Sequence, residues 1–129
     1  MQYQFSEIEK EKILNTLQSI DEVIMQLIKW NENITNASDY YLDQSGMQLL
    51  AANCTLFTAI GEGITRIKRI SDFLYTNYPE IPWGDYIGMR NHIAHGYFEL
   101  DAEIVFDTIK HDLGSLSAAI KNAIKFIAN

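Results

Sequence analysis

Residues 6–30, SEIEKEKILNTLQSIDEVIMQLIKW, decide the fold class. Ser6 and Glu9 have the spacing of a capping box, in which the serine hydroxyl and the glutamate carboxylate each satisfy an orphan amide at a helix N-terminus. Ile13, Leu17, Ile20, Ile24 and Leu27 then recur at steps of four and three, which puts them on one apolar face. A helix of this length has to bury that face against other helices. It is expected to fade in 31–36, where Asn and Thr without apolar neighbours favour a loop.

The same reading extends outward. A second helix is predicted over about 40–75, with Met47, Leu50, Cys54, Phe57, Gly61, Ile64 and Lys68 on one stripe and Ile60, Ile67 and Leu74 flanking it. Gly61 and Gly63 each cost a helix interior about 1 kcal/mol relative to alanine. Close approach of a neighbouring helix, or a kink, is the expected compensation. Residues 77–82 form a turn, and Pro82 suits the first position of a third helix carrying Trp83, Tyr86, Ile87, Arg90 and Ile93 and stopping at Gly96. After a connector, Asp101 is the N-cap of a fourth helix with Glu103 in its first turn. Ile104, Ile109, Leu113, Leu116, Ile120, Ile124 and Ile127 form its buried side, and Gly114 is the expected bend. The sum is an all-α protein, an antiparallel bundle of four or five helices forming one domain over 1–129. No internal repeat or low-complexity segment interrupts it.

Composition narrows the function. The chain has 129 residues, 47% hydrophobic and 21% charged, enough for a core without disulfides. Its one cysteine, Cys54, reads as a small core residue in a reducing compartment. No apolar run is long enough to span a bilayer and no signal peptide is evident, so a cytoplasmic location is expected. A net charge of −7 argues against a large nonspecific nucleic-acid surface but not against a small phosphate site. The acidic excess reads as a solvated surface, or as a docking face for a basic partner. The positive charge is local. Residues 86–98 hold one Arg, two His and no acid, and Thr65-Arg66-Ile67-Lys68-Arg69-Ile70 is a second basic spot.

Arg90-Asn91-His92-Ile93-Ala94-His95-Gly96-Tyr97 concentrates the polar chemistry. A guanidinium, a carboxamide, imidazoles and a phenol are the groups that bind a phosphate and move protons beside it. An arginine near a helix end is commonly a carbonyl cap or an ion-pair partner, and a lone histidine is commonly structural; the cluster favours function. Arg90 and His95 lie about 140° apart on a regular helix. A site using both therefore needs the helix to end at His95, or a second copy of the motif across a two-fold axis. A helix C-terminus would favour the imidazolium of His95, as a proton donor requires. Glu62, between two glycines, is a candidate partner for a buried Arg90. His92 reads as a surface residue. No metal site is indicated, because His92, His95 and His111 lack metal-ligand spacing, and no P-loop, GxGxxG or HExxH occurs.

Arg90, four residues, His95, one residue and Tyr97 form an R-x4-H-x-Y pattern. With Pro79-Glu80-Ile81-Pro82-Trp83 before it, Ile87-Gly88-Met89 leading in, Gly96-Tyr97-Phe98 at its end and Asp107-Thr108-Ile109 after it, the stretch resembles the HepT-like toxins of the HEPN superfamily. The resemblance covers about 60–113. It implies a helical bundle that forms a homodimer with both motifs at a shared cleft. It implies a metal-independent endoribonuclease toxin, needing no cofactor, that leaves 2′,3′-cyclic phosphate ends on its RNA. By motif position His95 would be the acid/base, Arg90 would hold the phosphate and Asn91 would support the site; Glu62, outside the motif, is a supporting candidate only through the pairing with Arg90 suggested above. The implied partner is an MNT-type nucleotidyltransferase antitoxin that adenylylates Tyr97, as in type VII toxin–antitoxin pairs. A competing reading keeps the cleft without the chemistry: a nucleotide- or partner-binding subunit of a nucleotidyltransferase, with Tyr97 only a modification acceptor.

Overall fold

A computed structural model describes residues 3–93 and 100–129, and among them every regular element is helical. Helix α1 spans Glu7–Trp30 and opens with the expected capping box: the Glu9 amide donates to Ser6 Oγ at 3.1 Å and the Ser6 amide to Glu9 Oε1 at 3.0 Å. Ile13, Leu17, Ile20, Ile24 and Leu27 are all buried, each worth about 1.5–3 kcal/mol relative to exposure. A 3-10 turn, Ala37–Tyr41, leads to α2, Gln44–Ile70. Four short helices follow: α3 Phe73–Asn77, α4 Trp83–Ile87, α5 Met89–Ile93 and α6 Ala102–Asp107. A π-turn, Thr108–Asp112, joins α6 to the last helix, α7, Leu113–Ala128. Helix α1 lies between α2 and α7, and α4 and α5 pack on α2. The all-α bundle expected from the sequence is what the chain forms. Among the described residues, no helix is long and apolar enough to cross a membrane.

Three elements depart from the sequence expectation. The helix predicted over 40–75 is shorter, because polar side chains claim both ends. Asp43 caps α2 by accepting from the Gly46 amide at 2.8 Å, and the extended Ser71 ends it, its own Oγ accepting from the Phe73 amide at 3.1 Å. Met47 consequently sits in the first turn at 54% exposure rather than on the buried stripe. The third helix is interrupted at Gly88, whose carbonyl accepts from both the Asn91 and His92 amides and starts α5 anew. Pro82 precedes α4 as its N-cap rather than opening it, and the stop expected at Gly96 lies outside the described residues. The last helix is irregular at the π-turn and not at Gly114, which lies within α7.

The loop after α1 is anchored by a buried polar network. The Tyr40 hydroxyl donates to Asn31 Oδ1 at 2.6 Å, and the Asn31 and Asn53 carboxamides exchange two hydrogen bonds of 2.9 Å. Lys110 Nζ donates to the Asn31 carbonyl at 2.8 Å, tying the π-turn to the same point. Burial pushes the Tyr40 phenol up to about 12.

Candidate nucleic-acid interface

Trp83 sets the position of the short helices. Its ring is buried and its indole N–H donates to the Tyr78 carbonyl at 2.9 Å, which fixes the start of α4. Gly61 of α2 then admits the α4 backbone: a Cβ there would lie 2.8 Å from the Tyr86 carbonyl oxygen and 3.2 Å from the Ile87 Cα. Gly63 does the same for α1, since its Cβ would stand 2.8 Å from Ile20 Cγ1. Close approach, one of the two expected compensations, accounts for both glycines. Tyr86 packs into the core below Gly61, and burial, with Asp112 and Asp85 nearby, pushes its phenol far above the usual tyrosine range.

Helix α5 is held by Met89 and Ile93, both buried and one turn apart. Arg90, Asn91 and His92 are exposed between them and divide between two grooves. Arg90 and Asn91 face α2 across a groove of about 420 Å³ whose other wall includes Glu62, Arg66 and Arg69. His92 lines a separate depression with Asp85, Thr108 and Asp112. Arg90 and His92 are two steps, about 200°, apart round the helix, so their side chains leave on opposite sides.

Glu62 and Arg90 share the groove, but the expected pairing of an acid with a buried arginine does not form. Both side chains are exposed, and the ion pairs among the described residues are Lys68–Asp72 and Lys121–Asp21. Gly61 faces α4, and Glu62, one step of about 100° further round α2, is turned to the exposed rim. Among the described residues no three His, Cys, Asp or Glu side chains converge as metal ligands. His95 and Tyr97 lie outside the described residues. Their flanks meet, with the Asp101 amide donating to the Ile93 carbonyl at 2.7 Å.

Sequence reasoning located the basic spot at 65–70 and the motif at 90–97 without joining them. The structure brings Arg66 and Arg69 to the same groove as Arg90 and Asn91. A signal was available. Glu62, Arg66 and Arg69 recur at steps of four and three beside Gly61, the residue whose missing side chain marks where the next helix lies.

The family model described as Ribonuclease HepT-like matches residues 3–123. The chain is similar to a Methanocaldococcus jannaschii protein provisionally named RNase MJ1216, at 25% identity covering 92% of this chain and 88% of that one. It is similar to a second protein of that organism, provisionally named RNase MJ0125, at 27% identity over 72% of this chain and 78% of the other. A Thermococcus cleftensis protein provisionally named ribonuclease HepT is 35% identical over 45% of this chain and 53% of its own length. No solved structure matches the chain.

Proposed function

The chain belongs to the ribonuclease HepT-like family, and on that premise we propose that it is a metal-independent endoribonuclease toxin acting at the groove between α2 and α5. The observation that carries this reading is the meeting of Arg90 and Asn91 with Arg66 and Arg69 in one groove of a protein whose net charge is −7. An acidic protein that gathers guanidinium groups at one exposed place has a local site for phosphate.

The reaction is an internal transesterification. The ribose 2′-OH loses its proton and attacks the adjacent phosphorus. The new O2′–P bond forms as the P–O5′ bond breaks, and a proton goes to O5′, leaving a 2′,3′-cyclic phosphate and a 5′-hydroxyl. Arg90 holds the phosphate and the charge that grows on its oxygens, a contribution that needs no metal. Asn91, on the same wall, supplies a neutral donor. His95 is the proton carrier, imidazole being the side chain whose unperturbed pKa suits proton transfer in both directions near neutral pH. Glu62 shares the groove without an ion pair to Arg90, so any support it gives the arginines is through its charge alone.

Tyr97 is the regulatory residue in this reading. It stands two positions after His95, so adenylylation by a cognate MNT-type nucleotidyltransferase would place a phosphate and a nucleoside beside the proton carrier. That added charge and bulk exclude RNA. A cytoplasmic homodimer with the two motifs at a common cleft completes the proposal. The test is cleavage of single-stranded RNA in EDTA, with product ends analysed by mass. Saturable nucleotide binding without RNA turnover would instead favour a binding subunit.

A further inference from the structure

We infer that Arg66 and Arg69 of α2 extend the Arg90 site into a track for the backbone of single-stranded RNA, holding phosphates adjacent to the one that is cut; this rests on the ribonuclease reading. The two arginines are one step of three apart on the exposed face of α2, opposite Arg90 and Asn91. That step advances about 4.5 Å along the helix. With the reach of the side chains, the two guanidiniums cover the separation of neighbouring backbone phosphates.

The rest of the groove is arranged to leave these donors available. The Thr65 hydroxyl donates to the Gly61 carbonyl at 2.9 Å and the Thr58 hydroxyl to the Cys54 carbonyl at 2.9 Å, so both are spent on the helix's own backbone. Gly61 contributes no side chain. The guanidiniums and the Asn91 carboxamide are then the groove's outward donors among the described residues. Like charges three apart on a helix cost a few tenths of a kcal/mol. The ion pairs among the described residues, Lys68 with Asp72 at 3.3 Å and Lys121 with Asp21 at 2.7 Å, involve none of the groove's arginines. In the groove the described acid is Glu62 alone, against Arg66, Arg69 and Arg90.

The experiment measures binding of a fluorescein-labelled single-stranded RNA of mixed sequence to the full chain carrying His95→Ala, across a range of KCl concentrations. Adding Arg66→Ala or Arg69→Ala should weaken binding about tenfold at low salt and lower the slope of log K against log salt by about 0.7 each. The double variant should lower that slope by about 1.4. Lys68→Ala changes net charge equally but lies outside the groove, and should leave the slope of its parent. A double variant with its parent's affinity and slope overturns the inference, as does an equal effect of Lys68→Ala. The ribonuclease reading fails separately. If wild type does not cleave RNA but the arginine-dependent slope is present, the track stands without the chemistry; if the parent binds no RNA, the track is overturned too.

Discussion

Arg90, Asn91 and His92 are consecutive, yet the first two face α2 and the third faces away. The division separates their expected effects. Arg90→Ala should reduce RNA cleavage by about 10²–10³-fold, the usual consequence of removing a donor to a developing oxyanion. Arg90→Lys should recover only part of it, because a planar fork and a point charge do not bind a phosphate alike. His92→Ala should cleave within a few-fold of wild type; a loss as large as that of Arg90→Ala would move the site to the Asp85 and Asp112 side. Tyr97→Phe should cleave as wild type does and take up no label from a cognate nucleotidyltransferase supplied with labelled ATP. Labelling of Tyr97→Phe would place the modification elsewhere.

At the scale of elements, the groove depends on how closely α4 sits on α2. Gly61→Ala gains about 1 kcal/mol of helix propensity, but its Cβ meets backbone at 2.8 Å and 3.2 Å, so a whole helix has to shift. The clash should win, lowering stability by about 1–2 kcal/mol and reducing cleavage as Arg90 moves with α5. Gly63→Ala meets the buried Ile20 side chain at 2.8 Å rather than backbone, so a side chain and not a helix has to give, and it should destabilise less than Gly61→Ala. Thermal melts of the two variants check this directly; equal destabilisation would mean that backbone contact at Gly61 is not what sets the spacing. These glycines also show what the sequence made legible. The capping box, the apolar stripe of α1 and the cap at Asp101 are local patterns, and each formed where expected. The break at Gly88, the short helix α3 and the bond from the Trp83 indole to the Tyr78 carbonyl are features no periodicity announces. Arg90 and Asn91 stood out by residue type, whereas Arg66 and Arg69 became part of a groove only once Gly61 showed which helix it faces.

Across the whole molecule, charge and burial act in different places. The net charge of −7 repels RNA at long range, so binding has to come from the groove, and raised salt should weaken it steeply. Stability depends on the opposite end of α2, where Tyr40, Asn31 and Asn53 close the buried network. The Tyr40 phenol is raised to about 12 in the folded chain, against about 10 unfolded, because burial penalises the phenolate. Its neutral form is therefore favoured by folding. The contribution, roughly 2–3 kcal/mol, is fully present below pH 10 and is lost as pH rises through 12. Urea unfolding at stepped alkaline pH should show that decline, and Tyr40→Phe should flatten it while costing about 1 kcal/mol at neutral pH. An unchanged alkaline limb in Tyr40→Phe would assign the loss to other groups.

The most direct measurement of the central claim is RNA cleavage in EDTA by wild type and His95→Ala, side by side, at matched helicity by circular dichroism and with intact mass confirming an unmodified Tyr97. Cleavage by wild type alone, leaving 2′,3′-cyclic phosphate ends, is the predicted result. Equal cleavage by both proteins, or none by the unmodified wild type, would contradict it.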